Sequence, residues 1–144
     1  MLLNKLPYHI LLGDDDDEDA VLFEEAITEI DSKILLSHTG DGHQVLTFLH
    51  NVIPDILFLD LNMPNMNGIE CLKNIRAIKH FDSLPIFIYS TSKNPQYVNA
   101  CYKEGATGYI VKPIKYTDIV KMLKQIFTNG SNIKKRDKET FIIE

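Results

Sequence analysis

Short, almost continuously apolar runs alternate along the chain with longer stretches in which apolar residues recur every three or four positions. The runs are Tyr8–Leu12, Lys33–Ser37, Ile56–Leu59, Ile86–Tyr89 and Tyr109–Val111. Being apolar on both faces, they predict strands covered on both sides, as in a parallel sheet. Between them Phe23, Ala26, Ile27 and Ile30 share one helical face. So do Val45, Phe48, Leu49 and Val52, and so do Ile119, Met122, Leu123 and Ile126. Asp41, Asn67 and Pro95 mark helix starts. Strand then helix, repeated five times, predicts an α/β protein: a three-layer, doubly wound (βα)5 sandwich with right-handed crossovers. Such folds place their site outside the carboxyl ends of the strands. The residues that close each run are therefore the candidates.

Composition narrows this picture. At 144 residues, 44% apolar and 24% charged, the chain has enough oil for one core and is neither disordered nor collagenous. One domain is expected over residues 1–128. After Phe127 the composition changes to Asn129-Gly130-Ser131-Asn132, a lysine-rich stretch and Phe141-Ile142-Ile143, so residues 129–144 are expected to form a flexible tail. A net charge of −5, with 13 of the 15 basic residues lysine, argues against a nucleic-acid partner. Cys71 and Cys101 form no CxxC pair, and the five histidines lack metal-ligand spacing. The N-terminal residues are too interrupted for a secretory signal, and no apolar run is long enough to span a membrane. A cytoplasmic protein with no membrane partner is expected.

The first run closes on Asp14-Asp15-Asp16-Asp17-Glu18-Asp19. For Asp16–Asp19 a helix cap and solvated first turn suffice. Asp14 and Asp15 are different, because they end a buried strand. An EF-hand is excluded: Asp19 stands where that loop requires glycine, and a strand precedes it. The third run closes on Asp60, followed by Leu61-Asn62-Met63-Pro64 and a turn through Gly68. The fourth closes on Ser90-Thr91-Ser92 and the fifth on Lys112-Pro113. Each has an ordinary structural reading alone. A parallel sheet, however, brings all of them to one edge. Three carboxylates in one crevice repel and are tolerated with a hard cation among them, for which Mg2+ is suited. A hydroxyl and an ammonium beside that cation fit an incoming phosphoryl group, and so an aspartyl-phosphate.

As an ordered set, ILLGDDD, ILFLDLNMPNMNG, IFIYSTS and GYIVKPI resemble the receiver domain of bacterial two-component response regulators over about residues 8–128. The resemblance implies a flavodoxin-like fold whose five-stranded parallel sheet has the order 2-1-3-4-5. It implies that Asp60 is the phosphoacceptor and that Asp14, Asp15, Asp60 and the Asn62 carbonyl hold Mg2+ or Mn2+. Asn62, Ser90, Thr91 and Lys112 would bind the phosphoryl group, with Asp60, Ser90 and Lys112 carrying the catalysis. Ser90 and Tyr109 would form the switch. The implied phosphodonor is a sensor histidine kinase or a histidine phosphotransfer protein, and the implied output is a changed surface on the fourth helix, fifth strand and fifth helix, read by a downstream protein. Two departures stand out. Gly13 replaces an apolar residue, and Thr91 replaces a smaller one, narrowing the approach to Asp60.

A phosphorelay intermediate or a phosphate sink would use the same residues, so both readings stay open. Readings from other classes fit less well. A haloacid-dehalogenase-like phosphatase would carry its nucleophile after the first strand rather than the third. A flavodoxin-like electron carrier would not line its phosphate loop with six acids. An unphosphorylated scaffold would have no use for so complete a site. On the output face, Tyr97, Tyr102, Tyr109 and Tyr116 are expected as anchors for a protein partner.

Overall fold

Helices begin where the chain supplies a cap, and strands form where it is apolar on both faces. The computed structural model describes residues 8–128 and 133–144. Strands β1 (His9–Gly13), β2 (Leu35–Thr39), β3 (Ile56–Leu59), β4 (Ile86–Ser90) and β5 (Gly108–Val111) alternate with helices α1 (Asp17–Ile30), α2 (Gly42–Asn51), α3 (Gly68–Arg76), α4 (Pro95–Lys103) and α5 (Tyr116–Phe127). A 3₁₀ turn, Lys79–Phe81, leads into β4, and a short strand β6 (Ile142–Ile143) follows α5. Every pairing is parallel, in the order β2-β1-β3-β4-β5-β6.

The caps are local and specific. Asp16 accepts from the N–H groups of Glu18 and Asp19, and Asp41 from those of His43 and Gln44. Asn67 accepts from Glu70 N–H at 3.0 Å while its own amide donates to Glu70 Oε1 at 2.9 Å. Asn94 caps α4, with Pro95 in the first turn. Such caps satisfy N–H groups that have no partner within the helix, each worth about 1 kcal/mol.

β1, β3 and β4 are buried almost throughout, as their continuous apolar runs require. Two apolar clusters lie on opposite faces of the sheet. One joins Phe23 and Ile27 of α1 to Leu123 and Phe127 of α5 across Leu12, Phe58 and Tyr89. The other joins Val45, Leu72 and Val98 of α2, α3 and α4 across Leu11, Leu57, Ile88 and Tyr109. Edge-to-face contacts of Phe23 with Phe58 and Tyr89 tie α1 to the centre of the sheet.

Three expectations about the sheet and the tail need correction. β2 begins at Leu35 rather than Lys33, because Asp31 takes the N–H groups of Lys33 and Ile34 into a turn before the strand can pair. Among the described residues the sheet has six strands rather than five. The sixth comes from the tail expected to be flexible. Among its described residues Phe141 is buried against the Tyr102 ring, and Ile142 and Ile143 pair with Tyr109 and Ile110. β5 would otherwise present a row of unpaired backbone groups, and the apolar end of the tail covers it. Residues 1–7 and 129–132, where the domain and its tail were expected to begin, lie outside the described residues.

The same packing narrows the four tyrosines expected as anchors. Tyr109 is fully buried, and Tyr102 is half-buried beneath Phe141 and Lys135. Tyr116 donates its hydroxyl to Glu29. Tyr97 alone of the four is openly exposed, at 44%. Among the described residues no helix is long and apolar enough to cross a membrane.

Candidate phosphoacceptor and metal site

Backbone pairing assembles the site before any side chain does. Gly13 is in register with Leu59, so the next residues, Asp14 and Asp60, emerge side by side. Asp14 N–H donates to Thr39 O at 2.9 Å, Asp60 N–H to Gly13 O at 2.8 Å, and Lys112 N–H to Ser90 O at 2.8 Å. Four adjacent strands thus end in one crevice. Gly13 has a steric explanation: a Cβ there would lie 2.9 Å from Val45 Cγ2 and 3.1 Å from Leu59 Cδ1, which already fill the space. Gly68 is more demanding still. A Cβ at that position would sit 2.2 Å from the Asp60 carbonyl oxygen, so the β3–α3 loop can close over Asp60 only with glycine there.

Asp14 is fully buried and Asp60 is 5% exposed. Lys112 Nζ lies 3.1 Å from Asp60 Oδ2, 2.9 Å from Asp14 Oδ2 and 2.8 Å from Asp19 Oδ2. It also faces the Tyr89 ring, 5.4 Å from its centroid. Burial pulls the Lys112 ammonium towards losing its proton, but the neighbouring Asp19, Asp14 and Asp60 carboxylates more than offset this and hold it charged. Burial pushes the Asp14 carboxyl up to about 6, against the lowering effects of Asp16 N–H and Lys112.

Asp14 Oδ1 accepts from Asp16 N–H at 2.9 Å. Asp14 Oδ2 has the ion contact with Lys112 but no aligned hydrogen bond, so a buried carboxylate oxygen keeps a free lone pair. Carboxylate oxygens of Asp14, Asp15 and Asp60 lie within 4.8 Å of one another, and Asp15 is exposed. An all-oxygen set with one open side fits a hard divalent cation that keeps several waters. The residues present therefore fit Mg2+ or Mn2+.

The other expected residues are placed less uniformly. Ser90 is fully buried, its Oγ accepting from Ser92 N–H at 3.2 Å. Tyr109 donates its hydroxyl to Ser92 O at 2.7 Å, which joins the aromatic ring to the loop following Ser90. Asn62 is exposed, with its N–H 3.4 Å from Asp60 Oδ1, and Thr91 is exposed at the mouth of the β4–α4 loop. Sequence reasoning missed two residues. Asp19, read as part of a solvated turn, reaches Lys112. His38, read as one scattered histidine, donates from Nε2 to the Asp14 carbonyl oxygen at 2.6 Å. No local pattern marks either one, since each partner lies far away in the sequence, 93 residues for Asp19 and 24 for His38.

The fold and its strand-end site define an open α/β protein with a carboxylate, a lysine and a hydroxyl gathered at one sheet edge. The family model for the response regulator receiver domain matches residues 10–124. The nitrate/nitrite response regulator NarL of Escherichia coli K12 is 32% identical over 122 residues, 85% of this chain. This chain spans only 56% of the length of NarL. A chemotaxis protein CheY homologue of Campylobacter jejuni is 29% identical over 85% of this chain and 94% of its own length. Among solved structures, the Mn2+-bound response regulator Rcp1 superposes with a TM-score of 0.76 at 28% identity, covering 83% of this chain and 91% of its own. The chain belongs to the response regulator receiver family, the signalling domains of two-component systems.

Proposed function

We propose that the protein accepts a phosphoryl group on Asp60 from the phosphohistidine of a sensor kinase or a histidine phosphotransfer protein. The observation that carries this reading is the Asp60 carboxylate, nearly buried, 3.1 Å from the Lys112 ammonium and beside the acid pair. In the transfer an Asp60 oxygen bonds to phosphorus as the phosphorus–nitrogen bond of the donor breaks, and the imidazole nitrogen leaves with the electron pair. Lys112 faces the oxygens on which charge accumulates, and Ser90 supplies a hydroxyl for the phosphoryl group. Asp14, Asp15, Asp60 and the Asn62 carbonyl would hold Mg2+ or Mn2+. Bound there, the cation supplies charge neutralisation and orientation. The relative Rcp1 was solved with Mn2+, which supports the choice.

The output would travel through Ser90 and Tyr109 to α4, β5 and α5, biasing an existing two-state equilibrium. A groove of about 570 Å³ beside β5 and α5, lined by Ile110, Val111, Ile114, Met122 and Ile143, lies on that side of the molecule. Fully exposed Ile114 on its wall suits a protein partner. The protein is thereby a cytoplasmic signalling receiver that promotes its own phosphorylation. Incubation with acetyl phosphate or a phosphorylated kinase is expected to label it only when Mg2+ or Mn2+ is present. Asp60→Asn should abolish the label, because an amide cannot form the acyl phosphate. Undiminished labelling of that variant would move the phosphoacceptor elsewhere.

A further inference from the structure

We infer that Asp19 is a positioning residue for phosphoryl transfer, acting through Lys112; the inference rests on the reading of Asp60 as phosphoacceptor. The Asp19–Lys112 contact, at 2.8 Å, is the shortest of the three that Lys112 Nζ makes with carboxylates. It is an aligned hydrogen bond, as is the bond to Asp60, whereas the contact with Asp14 is not. Asp19 is itself held, because its N–H is fixed by the Asp16 cap at the start of α1. Its side chain is 32% exposed against 7% for Lys112. Asp19 thus reaches in from the rim to grip an ammonium on the inside.

The three carboxylates have different duties. Asp14 and Asp60 belong with Asp15 to the cation-binding cluster, and an Asp60 oxygen is also the nucleophile. Asp19 lies outside that cluster. It is the one carboxylate on Lys112 that keeps its hold when a cation and a phosphoryl group claim the others. A lysine needs such a hold. Its flexible four-carbon stem has many rotamers to lose, and a charge that must meet the transferring oxygens is most effective when already in place. With acetyl phosphate as donor, an Asp60 oxygen bonds to phosphorus while the phosphorus–oxygen bond to the acetyl group breaks and acetate leaves with the electron pair. Lys112, steered by Asp19, faces the phosphoryl oxygens as this happens.

Two measurements on the full chain test the assignment, with D17N as control. Asp17 lies in the same acidic run and is exposed, but is not among the carboxylates on Lys112. Initial labelling rates are measured against acetyl phosphate at saturating Mg2+. D19N is expected to lower the maximal rate about tenfold, with half-saturation changed by less than about twofold, as loss of alignment rather than of binding predicts. D19E, which keeps the charge, should recover most of the rate, and D17N should match wild type. Separately, in metal-free protein, the Lys112 Nζ–H proton signal should be visible in wild type and D17N and lost in D19N. A D19N maximal rate equal to or above that of D17N overturns the proposal whatever the signal does. So does a Lys112 signal that persists in D19N. Labelling of Asp60→Asn would instead overturn the phosphoacceptor reading, which separates the two failures.

Discussion

The main-chain N–H of Tyr109 donates to the carbonyl oxygen of Phe141 at 2.9 Å, so the tail is hydrogen-bonded to the strand that carries the buried aromatic of the site. The Phe141 ring packs edge-on against Tyr102 of α4, with centroids 5.1 Å apart. Further back along the tail, Arg136 N–H donates to Thr107 O at 2.8 Å, and Lys135 Nζ lies 4.2 Å above the Tyr102 ring. β5, α4 and the tail therefore form one packed unit on the face expected to signal.

Phe141→Ala tests that unit. A buried Phe→Ala change costs about 3–5 kcal/mol where its surroundings stay fixed. Here the tail can detach instead, which caps the loss, so about 2 kcal/mol is expected. The urea midpoint should fall, and amide exchange at Tyr109 should accelerate. An unchanged midpoint together with an unchanged exchange rate would show that the tail contributes nothing to β5.

Gly68→Ala should disturb the site directly. Its Cβ would meet the Asp60 carbonyl oxygen at 2.2 Å and Leu61 Cα at 2.8 Å, and neither is a flexible side-chain end. The loop carrying Asp60 must move, at an expected cost of about 2–3 kcal/mol, as for other overpacked positions. Urea unfolding reports the loss, and Asp60 labelling should slow with it. Wild-type stability in the variant would contradict the close approach.

The two cysteines should be chemically silent. Both are buried and free, and burial pushes both thiols up to about 12, with the charge of Asp41 adding to the effect at Cys71. Almost no thiolate then exists at pH 8, and the thiolate is the reactive form. Iodoacetamide is expected to leave native protein unmodified and to alkylate both residues once it is unfolded in urea. Rapid alkylation of the native protein would refute the burial.

A divalent cation should stabilise the fold. Mg2+ at ten times its dissociation constant is expected to add about 1.4 kcal/mol, raising the thermal midpoint, and EDTA should reverse the shift. Asp14→Asn should be nearly insensitive to Mg2+, since it neutralises the most deeply buried carboxylate of the acid cluster. A full Mg2+ response in that variant would place the cation elsewhere.

Much of this was legible in the chain because it is local. Apolar runs on both faces make strands wherever helices can cover them, and Asp41 and Asn67 cap helices through N–H groups two or three residues away. The strand-closing residues Asp14, Asp60, Ser90 and Lys112 followed from parallel topology, which brings every strand's carboxyl end to one edge. What the tertiary structure decided depends on partners distant in sequence. Lys112 and Asp19 are 93 residues apart, and nothing in the acidic run distinguishes Asp19 from Asp17 until the loop after β5 brings Lys112 to the start of α1. The tail reads as polar and flexible until the open edge of β5 offers Phe141 and two isoleucines a place to bury and pair. Tyrosine spacing likewise does not report that Tyr102 lies under that tail. Periodicity and capping act within one element and are written in its residues, whereas these contacts arise from which surfaces remain uncovered once the sheet has formed.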